Sequence, residues 1–216
     1  MKKPIEFLKK TMISTALFGL FLSLSSCIGV NSNVTIRQNG TGTIQLEYRI
    51  SRMFEALGKL DGNEKQFPLP VGRTDFERTI GRVPGLTLVS YSTSQDKKDM
   101  VVKAELSFAS LNALIGFLDA SGQSASLKTE NGTRTMGLLL VRGIKNVDKD
   151  LENLVRSVFD GYTIDVRFSL PSTPTVSVLG AVGQTGVAGT SARYTSPITD
   201  LVLSQEPVEL RLSWKE

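Results

Sequence analysis

Apolar and polar residues alternate at every second position in several segments of this chain. In one of them, Thr43–Ile50, the apolar positions are Ile44, Leu46, Tyr48 and Ile50. The same alternation recurs in Met100–Phe108, Tyr162–Leu170 and Val208–Trp214. Because successive side chains of a β-strand point to opposite faces, each segment is predicted to be a strand with one buried face. Such strands must bury that face against a second layer of structure.

Turn residues join these strands into hairpins. Three hairpins are predicted, over Val34–Arg37 with Thr43–Ile50, Leu86–Thr93 with Met100–Phe108, and Ser124–Thr129 with Thr133–Val141. Asn39-Gly40 and Asn131-Gly132 lie between strands of the first and third hairpins, and Asn-Gly is a strong signal for a tight hairpin turn. A strand pair therefore occurs three times along the chain.

A helical pattern follows each hairpin. Apolar residues at helical spacing predict helices over Ser51 to about Leu60, from Ser110 towards Gly122, and over about Val147–Phe159. The sequence Thr74-Asp75-Phe76-Glu77 matches a capping box and predicts a further short helix. We therefore predict an α+β fold, with an antiparallel or mixed sheet built from repeated strand-strand-helix units and helices packed on one face.

A single α+β domain is predicted over residues 34–216, with a Gly-rich loop near residues 179–192. Gly180, Gly183, Gly186 and Gly189 recur at every third position there. Collagen needs many such triplets rich in proline, so a mobile hairpin or surface loop is the expected structure.

The first 26 residues have the features of a secretory signal peptide. Four lysines lie within Met1–Lys10, an apolar run extends from Met12 to Leu24, and small residues precede Cys27. The apolar run is shorter than the roughly 20 residues of a membrane-spanning helix. A signal peptide that is removed is therefore favoured over a permanent membrane span.

Leu24-Ser25-Ser26-Cys27 resembles the lipobox of bacterial lipoprotein precursors. The resemblance implies cleavage before Cys27, a diacylglycerol on its thiol and an acylated amino terminus, with residues 27–33 as a short tether. Two or three acyl chains anchor a protein stably, whereas one does so only marginally. Ile28 follows the cysteine in place of the aspartate of the enterobacterial retention signal, which favours the outer membrane where the organism has one. The alternative is an ordinary signal peptide followed by a chance cysteine.

Beyond the lipobox, the chain resembles LppM-type bacterial envelope lipoproteins. The resemblance is carried by Asn39-Gly40-Thr41-Gly42, the strand Thr43–Tyr48, Phe168–Pro171, the Gly-rich stretch and Ser196–Leu201. It implies an envelope domain that handles lipids or lipoglycans, and it implies no catalytic residues.

Composition excludes several kinds of site. The chain of 216 residues has no histidine and one cysteine, which excludes a Ser-His-Asp triad, a Cys-His pair, a Cys/His zinc site and an internal disulfide. The net charge is +4, but four lysines and one glutamate lie in the signal peptide. The other 21 basic and 20 acidic residues nearly balance, so nucleic acid is not an expected partner.

Two groups of carboxylates are weak candidates for a metal site. Asp96 and Asp99 flank a predicted hairpin tip, and Asp148, Asp150 and Glu152 fall in the first turns of a predicted helix. Oxygen ligands of this kind suit Ca²⁺, but the EF-hand spacing is absent. Turn formation and the helix dipole account for both groups. We therefore expect no metal or cofactor.

Two functions from different classes follow. The first is a non-enzymatic, membrane-anchored envelope lipoprotein that binds a lipid, a glycolipid or a protein partner at the membrane surface, with an apolar ligand expected between sheet and helices. The alternative is a Ca²⁺-dependent lipid-processing hydrolase such as a phospholipase. A cavity beside three or more acidic residues favours the hydrolase, and a cavity without them favours binding.

Overall fold

The computed structural model describes residues 28–52, 70, 72–119 and 124–216. Four helices of the described chain are α1 (Arg73–Arg82), α2 (Leu111–Leu118), α3 (Lys149–Phe159) and α4 (Ile198–Val202). The strands are β1 (Ile28–Ile36), β2 (Gly42–Ser51), β3 (Leu86–Gln95), β4 (Asp99–Phe108), β5 (Ala125–Glu130), β6 (Thr133–Val141), β7 (Thr163–Ser169), β8 (Thr175–Leu179), β9 (Gln184–Ala188), β10 (Ser191–Pro197) and β11 (Val208–Lys215). The predicted signal peptide, Cys27 and most of the helix predicted from Ser51 lie outside the described residues.

These strands form two sheets. The larger has the order β3-β4-β2-β1-β7-β10-β9, and the smaller has the order β5-β6-β11-β8. Neighbouring strands are antiparallel except β1 and β7, which are parallel. The predicted α+β class and the strand-strand-helix order are confirmed. The division into two sheets was not predicted, because alternation indicates which face is buried but not which strand is the neighbour.

The inward faces of both sheets contribute to one core. Ile44 and Leu106 from the larger sheet and Met136 and Leu212 from the smaller are fully buried in it. Helices α1 and α2 add Phe76, Leu114 and Phe117. Each of these large apolar side chains stabilises the fold by about 1.5–3 kcal/mol through its removal from water. The alternating faces predicted for β2, β4 and β11 are therefore the buried ones.

The N-cap of helix α1 lies two residues before the predicted cap, Thr74. Its N-cap is Gly72, whose N–H donates to Oδ2 of the buried Asp75 at 3.2 Å. Thr74 is already helical, and Glu77 accepts from Arg73 on the surface at 2.9 Å. The prediction of a cap at Thr74 is wrong because Asp75, not Glu77, is the acidic residue that reaches back to the cap. By contrast, Ser110 caps α2 as predicted, accepting from Ala113 N–H at 3.2 Å.

The prediction of a tether over residues 27–33 is wrong from Ile28 onwards, because these residues belong to a strand. Strand β1 begins there and pairs with β2 along its whole length, because its alternating residues fit between two neighbouring strands. Of the two structures expected for the Gly-rich segment, a hairpin or a surface loop, the structure has a hairpin of β9 and β10. Gly183, before β9, has φ +83°, and a Cβ there would lie 2.6 Å from the ring of Tyr194.

Candidate functional site

The outward side chains of the larger sheet form a polar surface. Strand register places them in two central rows that run across the sheet. The first row is Ser90, Glu105, Gln45, Asn33, Arg167 and Arg193, and the second is Ser92, Lys103, Glu47, Asn31, Asp165 and Thr195. We call these two rows the polar face. Its residues come from six strands, so it exists only when the sheet is complete.

Two grooves lie on the polar face. The larger, of about 300 Å³, is lined by residues of β1 to β4, including Asn33, Gln45 and Glu105. The smaller, of about 170 Å³, is lined by residues of β1, β2 and β7 and by Tyr162. Asn31 and Glu47 line both grooves, which therefore adjoin.

The larger groove contains polar side chains that have no partner among the residues that the structure describes. Within the described ranges, the amide groups of Asn31, Asn33 and Gln45 and the carboxylate of Glu105 make no side-chain hydrogen bond or ion pair. Each side-chain amide has both a hydrogen-bond donor, its NH₂ group, and an acceptor, its carbonyl oxygen. Neighbouring strands lie about 4.8 Å apart, so these groups recur at the spacing of the sheet. The row is therefore able to bind a ligand with several hydroxyl groups.

The charged residues beside this row are paired with one another. Glu47 accepts from Arg49 Nε at 3.1 Å and lies 3.3 Å from Lys103 Nζ. Asp165 accepts from Arg193 Nε at 3.0 Å and lies 3.6 Å from Arg167 Nε. Exposed pairs of this kind contribute only about 0–1 kcal/mol to stability. Their main effect is to leave the face with little unpaired charge.

Arginine neighbours also change the ionisation of Asp165. The hydrogen bonds donated by Arg193, with the positive charges of Arg193 and Arg167, hold the pKa of that carboxyl below its usual value. The same contacts raise the pKa of Arg193. Both groups are therefore charged at neutral pH, and this part of the face has no group suited to accept or donate a proton there.

The first pair of candidate metal ligands has structural partners. Asp96 Oδ1 accepts from the N–H groups of Asp99 at 2.7 Å and Lys98 at 2.8 Å, and these bonds, with Arg49, hold the Asp96 pKa below its usual value. Asp99 is only 5% exposed, and its Oδ1 accepts from the Tyr162 hydroxyl at 2.6 Å. Asp96 closes the β3–β4 turn, and Asp99 joins β4 to the start of β7.

The second group caps helix α3. Asp148 Oδ1 accepts from Leu151 N–H at 2.8 Å, and Glu152 pairs with Arg156 at 3.0 Å. Asp150 lies in the first turn, where a negative charge favours the helix dipole. Within the residues that the structure describes, no three acidic, histidine or cysteine side chains form a group able to hold a metal ion. Asp96 and Asp99 both approach Arg49 Nη1, at 3.3 and 3.9 Å, whereas Asp148, Asp150 and Glu152 lie at the N-terminus of α3.

Packed side chains fill the part of the layer between the larger sheet and helices α1 and α2 that the structure describes around Tyr48, where an apolar ligand was expected. Tyr48 and Phe76 stack there with ring centroids 6.4 Å apart, and Leu114 is fully buried in the same core. Both grooves lie on the opposite, outward side of the larger sheet. Sequence reasoning did not identify Asn33, Gln45 and Glu105 as one site. The alternation indicated outward positions for Gln45 and Glu105, but Asn33 was assigned to the tether, and the strand order that aligns the three was not predicted.

Comparison of the chain with models of known protein families, with curated proteins and with solved structures found no match. Among the described helices, none combines the length and the apolar character needed to cross a bilayer. The geometry of the polar face is therefore the basis for a functional proposal.

Proposed function

We propose that this protein is a non-enzymatic lipoprotein of the bacterial cell envelope, anchored through acylated Cys27, that binds the hydroxyl-rich headgroup of a glycolipid on its polar face. The observation that carries the binding proposal is the row of unpartnered polar groups formed by Asn33, Gln45 and Glu105. The lipobox-like sequence before Cys27 supports the anchor, and Ile28, which follows the cysteine in place of an aspartate, favours the outer membrane where one exists.

The chemistry of the groove supports a sugar headgroup over the other ligands considered. Sugar hydroxyls donate and accept hydrogen bonds, as do the amides of Asn31, Asn33 and Gln45. An acyl chain requires an apolar pocket, whereas polar side chains line this groove. The centre of a protein–protein interface is usually apolar and depleted of charged residues. This groove is instead lined by the charged residues Glu47, Lys103 and Glu105.

The anchor is tested with Cys27→Ala. Wild-type protein is expected to enter the detergent phase and to incorporate labelled palmitate, since thioether-linked and amide-linked acyl chains supply the membrane affinity. Both signals should disappear in the variant, as measured by phase partitioning and fatty-acid labelling in the producing bacterium. Labelling that survives the substitution would contradict the proposed anchor.

The binding site is tested with Asn33→Ala/Gln45→Ala in the unacylated chain from residue 28 onwards. The probe is a vesicle containing a glycosyl diacylglycerol, with phosphatidylcholine vesicles as the reference. Loss of two hydrogen-bonding groups, each worth about 0.5–1.5 kcal/mol, should weaken binding about tenfold. Asn153→Ala is the matched control, because Asn153 is an exposed amide on α3.

Two outcomes would contradict this proposal. Equal loss of binding in the double variant and in Asn153→Ala would remove the polar face as the site. Binding or lipid cleavage that EDTA abolishes would favour the Ca²⁺-dependent lipid hydrolase instead, and the carboxylates Asp96, Asp99, Asp148, Asp150 and Glu152 would then need to be tested as ligands.

A further inference from the structure

Strand β1 begins one residue after the cysteine that carries the proposed anchor. Ile28 pairs with Ile50 of β2, and Val30 pairs with Ile164 of β7. Strand β1 is therefore held on both sides almost from its first residue. Consecutive Cα atoms are 3.8 Å apart. Lipid attached to Cys27 thus lies close to one defined end of the larger sheet, without a flexible spacer between them.

The strand register identifies what else lies at that end. Ser51 at the end of β2 pairs with Asp99 at the start of β4, and Arg52 N–H donates to Lys98 O at 3.1 Å. Tyr162 precedes β7, which is parallel to β1, and a Cβ on Gly29 would lie 3.3 Å from the Tyr162 ring. We call this group, Ile28, Arg52, Asp96–Asp99 and Gly161–Tyr162, the anchor end.

The turn between β1 and β2 lies at the other end of the sheet. Gln38 is exposed in that turn. A strand rises about 3.3 Å per residue, so the nine residues of β1 separate the two ends by roughly 26 Å. The end of the sheet beside Cys27 is therefore close to any surface that Cys27 contacts, and the end with the β1–β2 turn is far from it.

The anchor end presents lysines, whereas Asp96 and Asp99 within it are engaged by the protein; the exposed Asp160 lies beside it. Lys97 is exposed and forms no ion pair within the described residues, and Lys98 Nζ lies 4.8 Å from the centre of the Tyr162 ring. Asp96 is bound by backbone N–H groups and Arg49, and Asp99 is buried against Tyr162. Lysines near a membrane surface are attracted to anionic lipids by about 1 kcal/mol each.

We propose that the anchor end rests on the anionic headgroups of the membrane that holds Cys27. This inference depends on the proposed acylation of Cys27. In this orientation Asn31, four residues beyond Cys27, lies within roughly 14 Å of the attachment point, since an extended chain spans at most about 3.3–3.6 Å per residue. The grooves on the polar face are then level with headgroups of the same leaflet, and a glycolipid is bound there by the protein anchored beside it.

The orientation is tested with acylated full-length protein in vesicles of phosphatidylcholine and phosphatidylglycerol. Because acylation occupies the only native cysteine thiol, an introduced cysteine is the one free site for a fluorescent label. Lys97→Cys and Asp160→Cys place the label at or beside the anchor end, and Gln38→Cys places it at the opposite end. All three positions are exposed. The vesicles carry a collisional quencher attached to lipid headgroups.

We expect quenching at positions 97 and 160 to be at least several-fold stronger than at position 38. Quenching at position 160 should decrease when phosphatidylcholine replaces phosphatidylglycerol, because the lysines then lose their anionic partners. Equal quenching at all three positions would overturn the orientation, and quenching independent of phosphatidylglycerol would overturn the role of anionic headgroups. Intact mass of each protein measures acylation separately, so an unacylated Cys27 would contradict the proposed anchor rather than the orientation.

Discussion

Three tyrosines place their hydroxyl groups in the interior under different conditions. The Tyr162 hydroxyl donates to the buried carboxylate of Asp99 at 2.6 Å, and the Tyr194 hydroxyl donates to the carbonyl of Val182 at 3.1 Å. The Tyr48 hydroxyl is buried without a hydrogen-bond partner in the described structure, and burial raises the pKa of Tyr48. The same substitution therefore removes a hydrogen bond to a carboxylate at Tyr162, a hydrogen bond to a neutral carbonyl at Tyr194, and a hydroxyl group without a hydrogen bond at Tyr48.

Tyr48→Phe is expected to leave stability unchanged or to raise it by up to about 1 kcal/mol. The substitution removes a buried polar group that has no hydrogen bond to lose, and the ring that stacks on Phe76 remains. Urea denaturation of the wild type and the variant measures the difference. A clear loss of stability would show that the hydroxyl group has a partner.

Tyr162→Phe is expected to lower the free energy of unfolding by about 1–3 kcal/mol. It leaves the Asp99 carboxylate buried without its short hydrogen bond, and a hydrogen bond to a charged group contributes more than one between neutral groups. Tyr194→Phe is the matched control, because its bond to a neutral carbonyl should cost about 1 kcal/mol or less. Equal losses in the two variants would contradict this difference.

The Asp165 carboxylate makes stability depend on pH in a defined direction. Its pKa is lowered in the folded protein, chiefly by Arg193, so its contribution is present above the unfolded pKa of about 3.9 and is lost as the pH falls through the lower folded pKa. Arg193→Gln should raise the Asp165 pKa, as measured by NMR titration. The free energy of unfolding of the variant should also fall less steeply below about pH 4 than that of the wild type. An unchanged titration would show that Arg193 is not the cause.

At the scale of secondary structure, the two faces of β4 differ in their tolerance to charge. Leu106 is fully buried and Lys103 is exposed, where it pairs with Glu47. Leu106→Glu should abolish cooperative folding, since an unpaired buried charge is costly, whereas Lys103→Gln should shift the melting temperature only slightly. Thermal unfolding followed by circular dichroism compares them. Similar shifts in both variants would show that the assignment of the two faces is wrong.

The buried face of individual strands could be predicted from sequence because it depends only on alternation along the strand. The expected inward positions of β7 illustrate the limit of that argument. Phe168 is buried, but Ile164 and Val166 are only half-buried, because burial also depends on what packs over each position. The register shift between Leu88 and Ser90 of β3 was also not predicted, since it arises from pairing with β4.

At the scale of the whole molecule, the candidate site required information that sequence patterns do not contain. Asn33, Gln45 and Glu105 lie in β1, β2 and β4. Alternation placed Gln45 and Glu105 at outward strand positions, whereas Asn33 was predicted to lie in the tether before the first strand. Their alignment depends on the order of strands in the sheet. The carboxylates singled out from sequence were close neighbours along the chain, and such neighbours most often have local roles, as Asp148 does in capping α3.

The parallel pairing of β1 with β7 also has a consequence for the order of events during synthesis. Val30 at the beginning of the described chain pairs with Ile164, so this contact closes a very long loop, and non-local contacts of this kind slow folding. Until β7 has emerged, β1 has β2 on one side and an open edge on the other, with unpaired N–H and C=O groups that favour aggregation. The growing chain must therefore remain soluble while β1, the central strand of the larger sheet, is unprotected. This state lasts until three quarters of the chain has been synthesised.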